Sequence, residues 1–224
     1  MGNNPRNITY HLKLDDGKVF RFAVQVDRNP KKPRSQKLPT WAALDFEKCP
    51  HCPLSGTPDD VCPAAADIVP IVERFSELTS YTRVQVSVIT PERIVHKNTD
   101  MQQALSALMG LILGSSACPI FSKLHPMAET HVPFASSQEA IFRLISTHLT
   151  GCFFRDEKPS INELKQLLTD IDELNRAFIE RLRAATSNDA NPNALVILQS
   201  RSLMSSLSLE DGIKQIRKWY GLAP

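Results

Sequence analysis

Apolar and polar residues alternate twice near the start of the chain. Ile8, Tyr10, Leu12 and Leu14 make one set, and Phe20, Phe22, Val24 and Val26 the other. Between them lies Asp15-Asp16-Gly17, whose Asp-Gly step supplies the positive φ of a tight turn. Residues 8–26 therefore predict a β-hairpin with one apolar face, covering something on that side. Period two returns at Val84, Val86 and Val88, and a turn at Thr90-Pro91-Glu92 leads to a short strand through Ile94. Between the hairpins, Asp67-Ile68-Val69-Pro70 fits a helix start. Asp67 can cap, and Pro70 falls in the first turn, where its missing N–H costs nothing. Ile71, Val72, Phe75 and Leu78 continue that helix as one apolar face.

The period changes after residue 99. Asp100 and Gln103 resemble a capping box before Ala104, Leu105, Leu108, Met109, Leu111 and Ile112. Apolar residues occupy nearly every side of this segment, which predicts a buried central helix ended by Gly114-Ser115-Ser116. Ser136 and Glu139 open another helix, with a stripe of Ile141, Leu144, Ile145, His148, Leu149 and Cys152. Ser160-Ile161-Asn162-Glu163 is the strongest start signal and leads into about six turns that end near Leu182. Residues 187–193 break the pattern, 194–203 predict a further helix, and Ser208 with Asp211 caps a last one closed by Gly221. The expected class is α+β. A small antiparallel sheet of about four strands packs with a mainly α-helical C-terminal half. Residues 1–99 carry the sheet and residues 100–224 the helices, in one continuous unit.

Composition narrows the picture little. The chain has 224 residues, 42% hydrophobic and 22% charged, with a formal net charge of +2. Such a balance points to an ordinary globular protein, with no global field to recruit nucleic acid or a membrane surface. The longest apolar run, 104–113, is interrupted by Ser106 and Gly110 and is too short to span a bilayer, which takes about 20 residues. Residues 27–39 are basic and proline-rich, which predicts a solvated connector. The N-terminus lacks the apolar stretch of a secretory signal, so the expectation is a cytosolic protein with reduced thiols.

That expectation gives the five cysteines their meaning. Four of them precede proline: Cys49, Cys52, Cys62 and Cys118. Cys49-Pro50-His51-Cys52 is a local chelate, and Cys62 and Cys118 would complete a four-sulfur site tying the helical half to the sheet half. A second Cys-x-x-Cys, usual for zinc, is absent, and the plain alternative is four small buried thiols. Pro53 stands where a zinc knuckle commonly has glycine, and it can neither take positive φ nor donate an N–H. Cys-Pro steps are frequent beside iron–sulfur clusters, so one metal centre is expected, with a cluster preferred to zinc by a narrow margin. His125 and His131 are secondary ligand candidates. His51 should point outward, because adjacent ligands would crowd one ion. His148 and Cys152 share an apolar stripe and read as core.

Several pieces together resemble an uncharacterised bacterial family, a domain of unknown function. They include Cys-Pro-His-Cys-Pro-Leu at 49–54, Cys62-Pro63, Leu-Met-Gly-Leu-Ile at 108–112 and Cys118-Pro119. Pro-Met-Ala at 126–128, His-Val-Pro-Phe-Ala at 131–135, Asn-Arg-Ala-Phe at 175–178 and Asp-Ala-Asn-Pro-Asn-Ala at 189–194 belong to the same likeness. The resemblance implies that the four Cys-Pro cysteines are part of the family pattern and Cys152 is not. It implies no activity.

Polar residues also gather at Asn175, Arg176, Arg181, Arg183, Asp189, Asn191 and Asn193. Arg176 and Arg183 stand two turns apart on one helix side, where an anion or a solvated face of i,i+4 pairs are the alternatives and the solvated face weighs more. Phosphate-cradling, dinucleotide, nucleophile-elbow and His-Glu-x-x-His signatures are all missing. The expected function is a non-catalytic metal-centre module whose helices bind another protein. The alternative is an iron–sulfur redox or sensor protein, and a metal-dependent enzyme using the His125–His131 loop comes third.

Overall fold

The computed structural model describes residues 6–27, 38–56, 60–186 and 188–223, without the side chains of 195 and 198–208. Most of the basic, proline-rich connector lies outside the described residues. Strands β1 (Asn7–Leu14) and β2 (Val19–Gln25) form the first hairpin, with Gly17 at φ 87° closing its turn. Strands β3 (Arg83–Ile89) and β4 (Ile94–Asp100) form the second. The hairpins join side by side in the order β2-β1-β3-β4, all antiparallel, with Tyr10 opposite Val88 and Leu12 opposite Val86. This register aligns the apolar positions of both central strands on one face, as the period requires.

That face is covered by α1 (Pro63–Arg74) and α2 (Met101–Gly114). Asp100 caps α2 by accepting from the Gln103 N–H at 2.9 Å, and the helix is buried along most of its length. Helix α1 starts four residues before the expected Asp67. Cys62 is its N-cap and Pro63 fills the first turn, so Pro70 sits inside the helix and Asp67 is buried. Proline at the first helical position outweighs a downstream aspartate, because its fixed φ already matches the helix. Pro70 removes the N–H that would ordinarily bond the carbonyl of Ala66.

The short α3 (His125–Glu129) leads to α4 (Ser137–Phe154), α5 (Ile161–Ala185) and α6 (Ala190–Trp219). The Ser136–Glu139 capping box is complete, with bonds of 3.3 and 2.7 Å. Ser160 does precede α5, but its side chain makes no capping bond. The two C-terminal helices expected from the sequence are one continuous helix, so Ser208 starts nothing. Gly212 allows this helix to cross α4 closely, since a Cβ there would meet Ile141 Cγ2 at 2.8 Å. Gly221, at φ 67°, ends it with the Leu222 and Gly221 N–H groups returning to Arg217 and Lys218. A single buried cluster includes apolar side chains from Ile8 to Ala194. Among the described residues, no helix is long and apolar enough to cross a membrane.

Candidate metal centre

A loop of 44–60 is closed at its neck by backbone bonds. Ala43 and Val61 form an antiparallel bridge, and the Leu44 and Cys62 N–H groups donate to Asp60 and Ala42 carbonyls at 2.7 and 2.9 Å. Cys49 and Cys52 lie within the loop in a tight turn, the Cys52 N–H donating to the Cys49 carbonyl at 3.1 Å. Cys62 ends the loop as the N-cap of α1; its side chain makes no capping bond, but the nearby N–H groups of Ala65 and Ala64 act to lower its pKa. Cys118 follows α2, and the N–H groups of Phe121 and Ile120 likewise act to lower its pKa. These donors favour a thiolate at both positions.

The four thiols share one neighbourhood. Cys49 feels the charges of Cys62, Cys118 and Cys52, and Cys118 those of Cys62 and Cys52. Burial, reinforced by that mutual repulsion, pushes the Cys49 thiol up to about 12. Burial also raises Cys62 and Cys118, against the pull of their N–H donors. No three of the four sulfurs lie within 4.8 Å of one another, since the one such group of Cys, His, Asp and Glu ligand atoms among the described residues is His148, Cys152 and Glu163. A tetrahedral zinc shell of Zn–S bonds near 2.3 Å spaces its sulfurs about 3.8 Å apart. The sulfurs as they stand are more open than that.

Beside them is a cation that the sequence places only within a gathering of polar residues. Arg181 of α5 is 1% exposed. Its Nη1 donates to the carbonyls of Trp41 and Ala43 at the loop neck, the latter at 2.8 Å. The guanidinium also stacks near the rings of Phe46 and Phe178, at 5.7 and 5.6 Å. Burial works against its charge, and the groups that support the charge are led by Cys62 and Cys49, followed by Glu47 and Cys52. Its buried Nε has no hydrogen-bond partner among the described residues. Arg176 and Arg183, by contrast, pair with Asp172 and Glu180 on the same helix, the bland reading of that face.

The histidines are engaged elsewhere. His51 turns to Glu173 of α5 at 2.6 Å, and His125 pairs with Glu129 at 3.2 Å. His131 Nε2 is 2.6 Å from the Tyr10 hydroxyl, and burial, with help from Arg143, holds its pKa down to about 3. The sequence reading also missed the grouping of His148 with Cys152 at 3.6 Å and Glu163 at 3.8 Å. Their His-x-x-x-Cys spacing was the available signal, but Glu163 comes from the next helix. The Ser160 N–H already reaches His148 Nε2 at 3.4 Å. Asp189, Asn191 and Asn193 serve the start of α6. Asp189 accepts from the Ser80 N–H and hydroxyl at 2.8 and 2.9 Å, and Asn191 donates to the Val72 carbonyl at 3.2 Å.

Fold and site together define an α+β protein with a cysteine-bearing loop docked against α1 and the long helix α5. Over residues 8–221 the chain matches the family described as domain of unknown function DUF6901, and it belongs to that family. No curated protein and no solved structure matches it.

Proposed function

We propose that the protein is a non-catalytic cytosolic module in which Cys49, Cys52, Cys62 and Cys118 hold one metal centre, an iron–sulfur cluster in preference to zinc. The observation that carries the reading is Arg181, a buried guanidinium set beside Cys62 and Cys49, with Glu47 and Cys52 next. A buried cation without a counter-charge is costly. Thiols that keep their protons offer none, whereas four thiolates around a dipositive centre leave net negative charge for Arg181 to offset. The donor set also fits, because backbone N–H groups near two of the four sulfurs favour their thiolates, as such groups do in cluster sites. The open sulfur spacing and the four Cys-Pro steps favour a cluster over a single ion.

A cluster here would serve electron transfer or sensing, and zinc would serve as a staple between loop and helices. The partner of the module is another protein. Phe153 and Phe154, each 77% exposed at the end of α4, supply an apolar contact that such a partner would cover. The third reading, a metal-dependent enzyme using the His125–His131 loop, has less support, since His125 pairs with Glu129 and His131 with Tyr10.

Elemental analysis of anaerobically purified protein tests the centre. About four iron and four sulfide per chain with broad visible absorption is the expected result. One zinc in a colourless protein would support the ion instead. Equal metal content in single serine variants of all five cysteines would refute the site.

A further inference from the structure

A second feature of the helical half is independent of the cysteines. A cavity of about 220 Å³ opens between α2, α4, α5 and the loop 131–137. Its described walls are mainly apolar, with Leu111, Leu124, Met127 and Leu144 among them. Polar residues interrupt that lining, Arg143 and His131 among them. Two others, Ser106 of α2 and Asn175 of α5, carry a buried Oγ and a buried Oδ1 without a hydrogen-bond partner among the described residues. Ser106 is 0% exposed and Asn175 2%. A serine inside a helix ordinarily returns its hydroxyl to a carbonyl one turn back, so an orphan here is unusual. Leaving such groups unpaired costs about 1–3 kcal/mol each.

The rim is built rather than accidental. Arg143 Nη2 donates to the carbonyls of Met127 and Thr130 at 2.7 and 2.8 Å, fixing the strand of chain before the loop. Phe134 adopts φ 59°, a left-handed conformation that a bulky residue avoids, with Lys97 over its ring at 4.8 Å. Strain of this kind persists where surrounding contacts over-determine it, and it clusters at ligand clamps.

We infer that this cavity binds a compact aromatic molecule carrying one neutral hydroxyl or N–H group, which pairs with Ser106 and Asn175. Size sets the body of the ligand: a cavity of about 150 Å³ takes a benzene ring, so this one takes a substituted ring. Polarity sets its head. Asn175 Oδ1 only accepts, so the ligand must donate to it, and a carboxylate would meet its lone pairs. Ser106 can donate to the same group or accept from it.

The pair p-cresol and p-xylene tests this, because the two differ by hydroxyl against methyl at nearly constant shape. Calorimetric titration of the full chain is expected to show p-cresol binding at least threefold tighter than p-xylene. A purely apolar cavity gives the opposite order, since a buried hydroxyl without a partner is penalised. Ser106→Ala should weaken p-cresol three- to tenfold and leave p-xylene unchanged. Ala140→Leu, which fills the cavity from α4, should abolish binding of both while the far-ultraviolet circular dichroism is retained. Equal or tighter binding of p-xylene, no binding of either at millimolar concentration, or unchanged p-cresol affinity in Ala140→Leu would each overturn the assignment.

Discussion

Replacing Arg181 with methionine separates a structural arginine from one that answers to a metal centre. Methionine keeps much of the packing against Phe46 and Phe178 and removes the charge and both donors. The carbonyls of Trp41 and Ala43 lose their partner. Hydrogen bonds to a charged group contribute about 1.5–3 kcal/mol each, so this loss alone is about 3–6 kcal/mol. Against it stands relief from burying a guanidinium, several kcal/mol in the opposite direction. In metal-free protein the two nearly cancel, and the expected net change is under about 2 kcal/mol. In loaded protein a further cost appears. At an effective dielectric of about 20, a unit charge pair is worth about 4 kcal/mol at about 4 Å and about 2 kcal/mol at twice that distance, the latter about 30-fold in affinity. Urea denaturation of both forms, with a competitive chelator titration for affinity, measures the two parts. A variant that binds metal as tightly as the wild type, or that loses equal stability with and without metal, would refute the role given to Arg181.

Other outcomes can be checked in the same preparations. Cys52→Ser should lose metal and destabilise the whole fold, because metal binding is coupled to folding. Cys152→Ser should keep the metal, with a stability loss of about 1–2 kcal/mol from burying a hydroxyl in an apolar stripe, read from denaturant midpoints. His131, with a folded pKa near 3 against 6.5 in the unfolded chain, is neutral in both states above pH 6.5. As pH falls from there toward 3, the unfolded chain takes up the proton first, so stability is lost across that window. Between pH 7 and pH 5 the loss is about 1–2 kcal/mol, and His131→Gln should flatten that part of the profile. Ser136→Ala should cost about 1 kcal/mol by breaking the capping box, with helix content otherwise kept. Gly212→Ala should destabilise by at least about 1 kcal/mol, since its Cβ would strike Ile141.

Short-range patterns along the chain determined the elements. The alternation of residues 8–26 with Gly17 between, the valines of β3, the Ser136–Glu139 box and the glycine after Tyr220 each act over a few residues, and each formed as those residues dictate. The same locality set the limits. Asp67 looked like a cap, but Cys62-Pro63 upstream already started the helix, and Ser208 stayed inside a helix that its neighbours continued. What only the tertiary structure decided is convergence. Cys118 joins residues 56 or more positions away, Arg181 sits on the buried face of its helix to bond Trp41 and Ala43, and Ser106 and Asn175 line one cavity from different helices. Periodicity tells which side of an element is apolar, not which element that side meets. Burial of a charge or an orphan hydroxyl is a property of the assembled packing, so no window of sequence contains it.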